Sequence, residues 1–252
     1  MRRLDYTRPE YLVAGTVELW LHLNETATRV CTTYILRRDE GAAKDSPLVL
    51  YLGSEVTLMS LLISGCQLGQ EEFTRIGDVI IVAKVPNIFT VGITTIINPK
   101  ENTALEGLFL SGGMLCTQCE AEGFRHITAY PDRPDVMAPF EVTLVGDKDI
   151  YPVLLSNGNL IEKGDIVGTN DHFAVWDNPF KMPCYLFAVV AGDLAVLEDT
   201  FTTMSGRVIA LAIYAEKRDV ESGKLTHAMV SLKRAMNFDE WMYGRECDVD
   251  TI

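Results

Sequence analysis

The sequence predicts a mainly β protein: a long all-β block of sandwich type, then one strand and one helix. Three observations carry that expectation. Up to Gly192 and Asp193, short runs rich in β-branched and aromatic residues, often alternating apolar with polar, are cut apart by Gly, Pro and Asn, the pattern of sandwich domains. One stretch alone, at 225–236, carries the 3.6-residue apolar period of a surface helix. Residues 102–136 fit neither period although both flanks read as strands, and such a break is where a site overrides local rules.

Residues 13–23, VAGTVELWLHL, put Val17, Leu19, Leu21 and Leu23 on one face and Glu18, Trp20 and His22 on the other, as in a half-buried strand. Asn24, Glu25 and Thr26 read as a turn, and 27–38, ATRVCTTYILRR, as the hairpin partner. Further strands are expected at 47–52, 57–64, 78–84 and 89–98, separated by Gly53, Gly65, Gly69, Gly77, Pro86 and Asn87. The run 139–155, PFEVTLVGDKDIYPVLL, gives two strands around 146–149. Ser156-Asn157-Gly158-Asn159 reads as a hairpin turn, because Asn-Gly tolerates the positive φ angles of a type I′ turn. Strands at 173–176 and 185–191 complete the block, and 208–216 begins something new. Leu225, Ala228, Met229, Leu232, Ala235 and Met236 then form one helical stripe, with Ser222 as expected N-cap and Gly244 as stop. That stripe is expected to lack a partner surface, since little sequence remains to cover it. There is no internal repeat and no low-complexity segment.

A length of 252 residues accommodates one large all-β domain, or a domain and part of another. With 48% hydrophobic and 23% charged residues the composition is that of a globular protein, which excludes disorder. The balance of 22 basic against 35 acidic residues gives a net charge of −13. That argues against nucleic acid or an anionic membrane as partner, and is compatible with a cationic ligand such as a peptide amino terminus. Met1, Arg2 and Arg3 are followed by no apolar signal region, and no apolar run is long enough to cross a membrane, so the cytoplasm is the expected location. The six cysteines, at 31, 66, 116, 119, 184 and 247, are expected to be reduced.

A zinc hydrolase of the HExxH type needs two His at i and i+4 on a helix with a Glu between them. None of His22, His126, His172 and His227 has a His four residues away, so no metal ligands are expected within these residues. Cys116 and Cys119 have CxxC spacing, but lack the second pair of a structural zinc site and the βαβ setting of a redox site. A coincidence of spacing is the better reading. Gly112 and Gly113 are not followed by the Lys and Ser/Thr of a phosphate loop. Ser111, Asp171 and His172 form no recognisable triad. Residues 117–125, TQCEAEGFR, crowd two carboxylates, an amide and a guanidinium together. On residue chemistry alone, Glu120 and Glu122 are surface carboxylates or partners of Arg125 and Arg133.

NTALEGL at 102–108, TQCEAEGFR at 117–125 and YPDRPDV at 130–136, in that order, resemble the N-terminal region of the bacterial aminopeptidase N family, zinc metallopeptidases of alanyl aminopeptidase type. The resemblance extends to RLDYTRPEY at 3–11, YPVLLSNGN at 151–159, PCYLFAVVAGD at 183–193 and SLK at 231–233, and so covers essentially the whole chain. It implies a sandwich or saddle-like β domain over 1–195. Residues 196–252 would then be the first strand and helix of a thermolysin-like catalytic domain, ending before the family's Gly-x-Met-Glu-Asn and HExxH motifs. In the family, the Gln and the first Glu of TQCEAEG reach the catalytic cleft, where the Glu helps hold the substrate's α-ammonium and the Gln lines the pocket for the first side chain. Matched by motif, these are Gln118 and Glu120, while Glu122, Arg125 and Asp135 are read as structural. The implied chemistry is sound: a desolvated carboxylate recognises a terminal ammonium by charge-assisted hydrogen bonds, and the contact sets the scissile bond one residue from the end.

The expectation is therefore an N-terminal fragment of a zinc-dependent aminopeptidase, inactive alone, with no catalytic residue and no metal ligand of its own. Its partners would be peptide substrates, through their free amino terminus, and the family's catalytic and C-terminal domains. The rival reading is a stand-alone, non-catalytic β module for binding. A bare Met229, Leu232 and Met236 face is the expected mark of the fragment, and a covered one that of the module.

Overall fold

The computed structural model describes residues 6–252. The basic start at Met1, Arg2 and Arg3 and the opening of the 3–11 motif lie outside the described residues. The chain begins with β1 (Tyr11–Val13), β2 (Val17–His22), β3 (Thr28–Arg38), β4 (Leu48–Tyr51), β5 (Thr57–Ile63) and β6 (Cys66–Gln67). It continues with β7 (Thr74–Ile76), β8 (Val79–Val82), β9 (Ile88–Ile97), β10 (Gly107–Ser111), β11 (Met114–Gln118) and β12 (Met137–Asp147). Then come β13 (Val153–Ser156), β14 (Asn159–Asp165), β15 (Asp171–Pro183), β16 (Val189–Gly192), β17 (Ala195–Thr202) and β18 (Val208–Ala215). Two helices close it, the short α1 (Lys217–Glu221) and the long α2 (Lys224–Tyr243).

A nine-stranded sheet runs β14-β15-β12-β2-β3-β9-β5-β6, with β1 also on β3. Its pairs are antiparallel except β12 on β2. Period-2 patterning explains the sheet: in β2, Val17, Leu19 and Leu21 are buried while Glu18 and His22 face water. A four-stranded sheet, β10-β11-β16-β13, and a three-stranded sheet, β4-β8-β7, share one hydrophobic core with it. The hairpin β17-β18 stands apart and forms a second, smaller cluster with α2.

Several elements differ from the sequence reading. Residues 13–23 are two strands, because Gly15 turns the chain at φ 110°. Gly112 and Gly113, at φ 59° and 86°, form the tip of a β10-β11 hairpin inside the stretch that showed no period. Ser156 to Asn159 does not make a hairpin. The turn passes the chain from one sheet to another, since β13 pairs with β16 and β14 with β15. Gly158 keeps the positive φ (90°), and a Cβ there would lie 2.2 Å from the Asp177 carbonyl oxygen. The expected strand at 185–191 starts instead in a 3₁₀ turn, Cys184–Leu186, ahead of β16.

The helix begins after Gly223, at φ 75°, rather than on Ser222, whose hydroxyl donates to the Asp219 carbonyl at 2.9 Å and so belongs to α1. Gly244 ends it in the left-handed conformation, as expected. The apolar stripe is not bare. Met229 and Met236 are buried with Leu232 against Phe201, Ile209 and Leu211 of the β17-β18 hairpin. β17, unread in the sequence, completes with β18 the surface on which the stripe sits. The opposite side of α2 instead exposes Phe238 and Trp241. Beyond α2 the chain returns to β18: Thr251 bridges Ala210 in parallel, and Ala212 N–H donates to the Ile252 carbonyl at 2.7 Å. The result is a β-α-β turn of chain.

Candidate functional site

The TQCEAEGFR segment leaves the β sheet where β11 ends at Gln118, which pairs with Gly107. Gly123 N–H donates to the Cys119 carbonyl at 2.8 Å and closes a tight loop. Only glycine fits at 123, for reasons of space, since a Cβ would lie 2.4 Å from the Gln118 carbonyl oxygen and 3.1 Å from the Gly107 nitrogen. Gln118, Glu120, Ala121 and Glu122 are exposed on this loop, and Cys119 is buried beneath it. The Gln118 side-chain amide donates to the Glu120 carbonyl at 3.1 Å, which ties the two motif-matched residues to each other. The Glu120–Ala121 peptide is cis. Glu120 has no ion-pair or side-chain hydrogen-bond partner among the described residues, whereas Glu122 lies 3.3 Å from Arg125.

The foot of the loop is deeply set. Phe124 is fully buried and meets Tyr130 and Phe187 edge-on at 5.1 Å, and Phe140 at 6.0 Å. Residues 127–129 then cross the inner face of the large sheet without regular structure, and sheet side chains satisfy their polar groups. Thr95 Oγ1 donates to the Ile127 carbonyl at 2.8 Å, Tyr34 OH to the Ala129 carbonyl at 3.0 Å, and Thr32 Oγ1 to Thr128 Oγ1 at 2.8 Å. This explains why the stretch has no strand or helix period and is nonetheless held in place by hydrogen bonds.

Asp132, buried, is the polar centre of the foot. Its Oδ2 accepts the backbone N–H of Arg125 at 3.2 Å and Arg125 Nε at 2.9 Å, and its Oδ1 accepts the Cys184 thiol at 3.1 Å. Arg125 also stacks over the Tyr51 ring at 4.5 Å. Burial pulls the Arg125 pKa down, but the Asp132 hydrogen bond and charge outweigh it and leave the net shift upward. Burial first, and the Asp132 charge second, push the Cys119 and Cys184 thiols up, so neither is a thiolate near neutral pH. Sequence reasoning did not single out Asp132, which is marked only by standing in YPDRPDV. Asp135, read as structural, takes Arg133 at 2.7 Å.

Three of the four histidines are engaged with other partners. His126 touches Glu55 and Glu106 through its two ring nitrogens, His22 lies 3.3 Å from Asp171, and His172 Nε2 is 2.7 Å from the Tyr151 carbonyl. Among the described residues no group of three or more His, Cys, Asp or Glu side chains is arranged to hold a metal ion. The donors present do not fit a zinc ion. No helix of the described residues is long and apolar enough to cross a membrane.

Residues 81–186 match the peptidase M1 N-terminal domain. The chain is 43% identical over 251 residues to aminopeptidase N of Escherichia coli (strain K12), and 44% identical over 246 residues to aminopeptidase N of Caulobacter vibrioides. Each alignment takes in 98% of this chain and 28% of the relative, so the chain spans little more than a quarter of their length. The crystal structure of Legionella pneumophila aminopeptidase A in complex with aspartic acid aligns with a TM-score of 0.90 at 32% identity, over 98% of this chain and 29% of that one. Motifs, fold and alignment agree along nearly the whole length: the chain carries a peptidase M1 N-terminal domain and is similar to just over a quarter of aminopeptidase N.

Proposed function

We propose that this chain is the part of a zinc-dependent aminopeptidase that covers the active site and binds the free amino terminus of peptide substrates. The observation that carries the reading is an exposed carboxylate, Glu120, on a loop whose base is buried and tied down by the Arg125–Asp132 pair. An exposed acid on a fixed support can take an ammonium without reorganising, which is what recognition of a chain end requires. Gln118, held against the Glu120 backbone, would line the pocket for the first side chain. Glu122 is neutralised by Arg125 and is left out of the site. When bound, zinc would activate a water for attack on the first peptide bond; its ligands would come from outside these residues, and the chain alone would cleave nothing. The proposed boundary between β domain and catalytic domain is at 195, and the cytoplasm is the proposed location.

In the full-length enzyme, Glu120→Gln is expected to lower kcat/KM for an alanyl anilide by about ten- to a hundredfold, the scale of a lost positioning contact. An acetylated substrate analogue should bind the wild type and the variant equally. Unchanged kinetics on the free-amine substrate would show that Glu120 is not the ammonium ligand.

The stand-alone module reading is favoured by the covered Met229 and Met236 face. The exposed Phe238 and Trp241 on the other side of α2 favour a longer chain packed against it. An antibody raised to this chain decides between them: a native band several times larger than 252 residues supports the enzyme, and a band of that size supports the module.

A further inference from the structure

We infer that Asp132 is a positioning residue for substrate, holding Glu120 in place from beneath through Arg125; this rests on the reading of Glu120 as the ammonium ligand. The argument begins with burial. Asp132 is 4% exposed, and a buried carboxylate persists only with its partners in place. Those partners are the two attachments of the loop. Arg125 is the second residue after Gly123, and three of its donors, the backbone N–H, Nε and Nη2, reach Asp132, the last at the backbone carbonyl at 3.4 Å. Cys184, on the other carboxylate oxygen, opens the 3₁₀ turn leading into β16. β16 in turn pairs with β11 at Leu115 and Cys116, and β11 delivers Gln118 to the loop.

One carboxylate thus joins the exit of the loop to the strand that supports its entrance. A buried ion pair of this kind gives little stability over an apolar replacement of the same shape. What it gives is geometry, and a recognition group must be held to within about half an ångström to be effective. Glu120 lies between the two attachments and makes no bridge of its own to the core, so its position is inherited from them.

The test is a double-mutant cycle in the full-length enzyme on an alanyl anilide, with Asp132→Asn, Glu120→Gln and the pair. Asp132→Asn keeps the shape but removes the charge that orients Arg125. It is expected to lower kcat/KM by about tenfold in the wild-type background and to have no effect once Glu120 is replaced. A merely structural Asp132 would cost the same factor in both backgrounds, and that result overturns the inference, as does an unaltered kcat/KM for Asp132→Asn beside a normal loss for Glu120→Gln. If Glu120→Gln itself changes nothing, the reading underneath fails and the inference fails with it. Should Asp132→Asn not accumulate as folded protein, Arg125→Lys takes its place. It keeps the charge but loses the planar fork, and the same dependence on Glu120 is expected and the same outcomes decide.

Discussion

At the scale of single residues, steric room and polar pairing settle what the site contains. Gly123 is the plainest case. Its missing side chain lets the Gln118 carbonyl approach to where a Cβ would sit at 2.4 Å, and the crowding atoms are backbone, which cannot swing aside. Gly123→Ala is therefore expected to destabilise the chain by about 1–3 kcal/mol, the usual cost of overpacking, read as a lowered urea midpoint. It should also shift the Gln118-to-Glu120 segment, visible as loss of amide protection at 118–123. A variant as stable as the parent would show that the loop is slack, and would weaken every argument that treats Glu120 as pre-positioned. The candidate pair Gln118 and Glu120 came from the motif resemblance alone, since residue chemistry by itself left Glu120 a surface carboxylate. Asp132 was not legible in the sequence. Its partners Arg125 and Cys184 lie 7 and 52 positions away, and no helical or strand period links such positions. A buried acid reveals itself only when the fold closes around it.

At the scale of elements, local patterning served well where one face was buried and poorly where an element is two-sided or its partner is distant. β2 was readable from alternation, and β3 and β9 from β-branched and aromatic runs between turn residues. β17 was not, because Ala195–Thr202 buries only Phe201 and carries Glu198 and Asp199 outward. With β17 missing and β18 read as a lone strand, the α2 stripe looked unpartnered. The Asn157-Gly158 signal correctly announced a positive φ, but φ is a local property and strand pairing is not. The structure now divides α2 into two faces with different expected behaviour. Met229→Ala removes a side chain packed on Ile209 and Leu211 and is expected to cost about 2–5 kcal/mol. Trp241, 77% exposed, should tolerate Ala with a change within about 0.5 kcal/mol. Chemical denaturation followed by the α2 helical signal checks both. Equal losses at the two positions would mean that the helix is not seated on the β17-β18 hairpin as described.

At the scale of the whole molecule, the unequal size of the two hydrophobic clusters has a consequence for cooperativity. The first draws buried side chains from three sheets, among them Tyr34, Leu50, Phe124, Phe140 and Val189. The second rests on Phe201, Ile209, Leu211, Met229 and Met236. Links across the join include the Lys217–Asp193 pair at 2.6 Å and the Asp250 N–H on Asn159 Oδ1 at 2.9 Å. Both are exposed and polar, and exposed ion pairs add at most about 1 kcal/mol. Burial drives folding roughly in proportion to the apolar area removed from water. The smaller cluster should therefore open at a lower free energy than the larger one and without dragging it along. Native-state hydrogen exchange is the direct measurement. Amides of β18 and α2 are expected to share one opening free energy, below that shared by β2, β3 and β9. In rising denaturant their signal should be lost first, while Phe124 and the loop it anchors stay protected with the large core. A single common free energy for both groups would make the chain one cooperative unit, and the proposed boundary at 195 would mark a change of topology without a change of stability. Separate free energies would place Glu120 and Asp132 on the more stable unit, where a recognition loop is best supported.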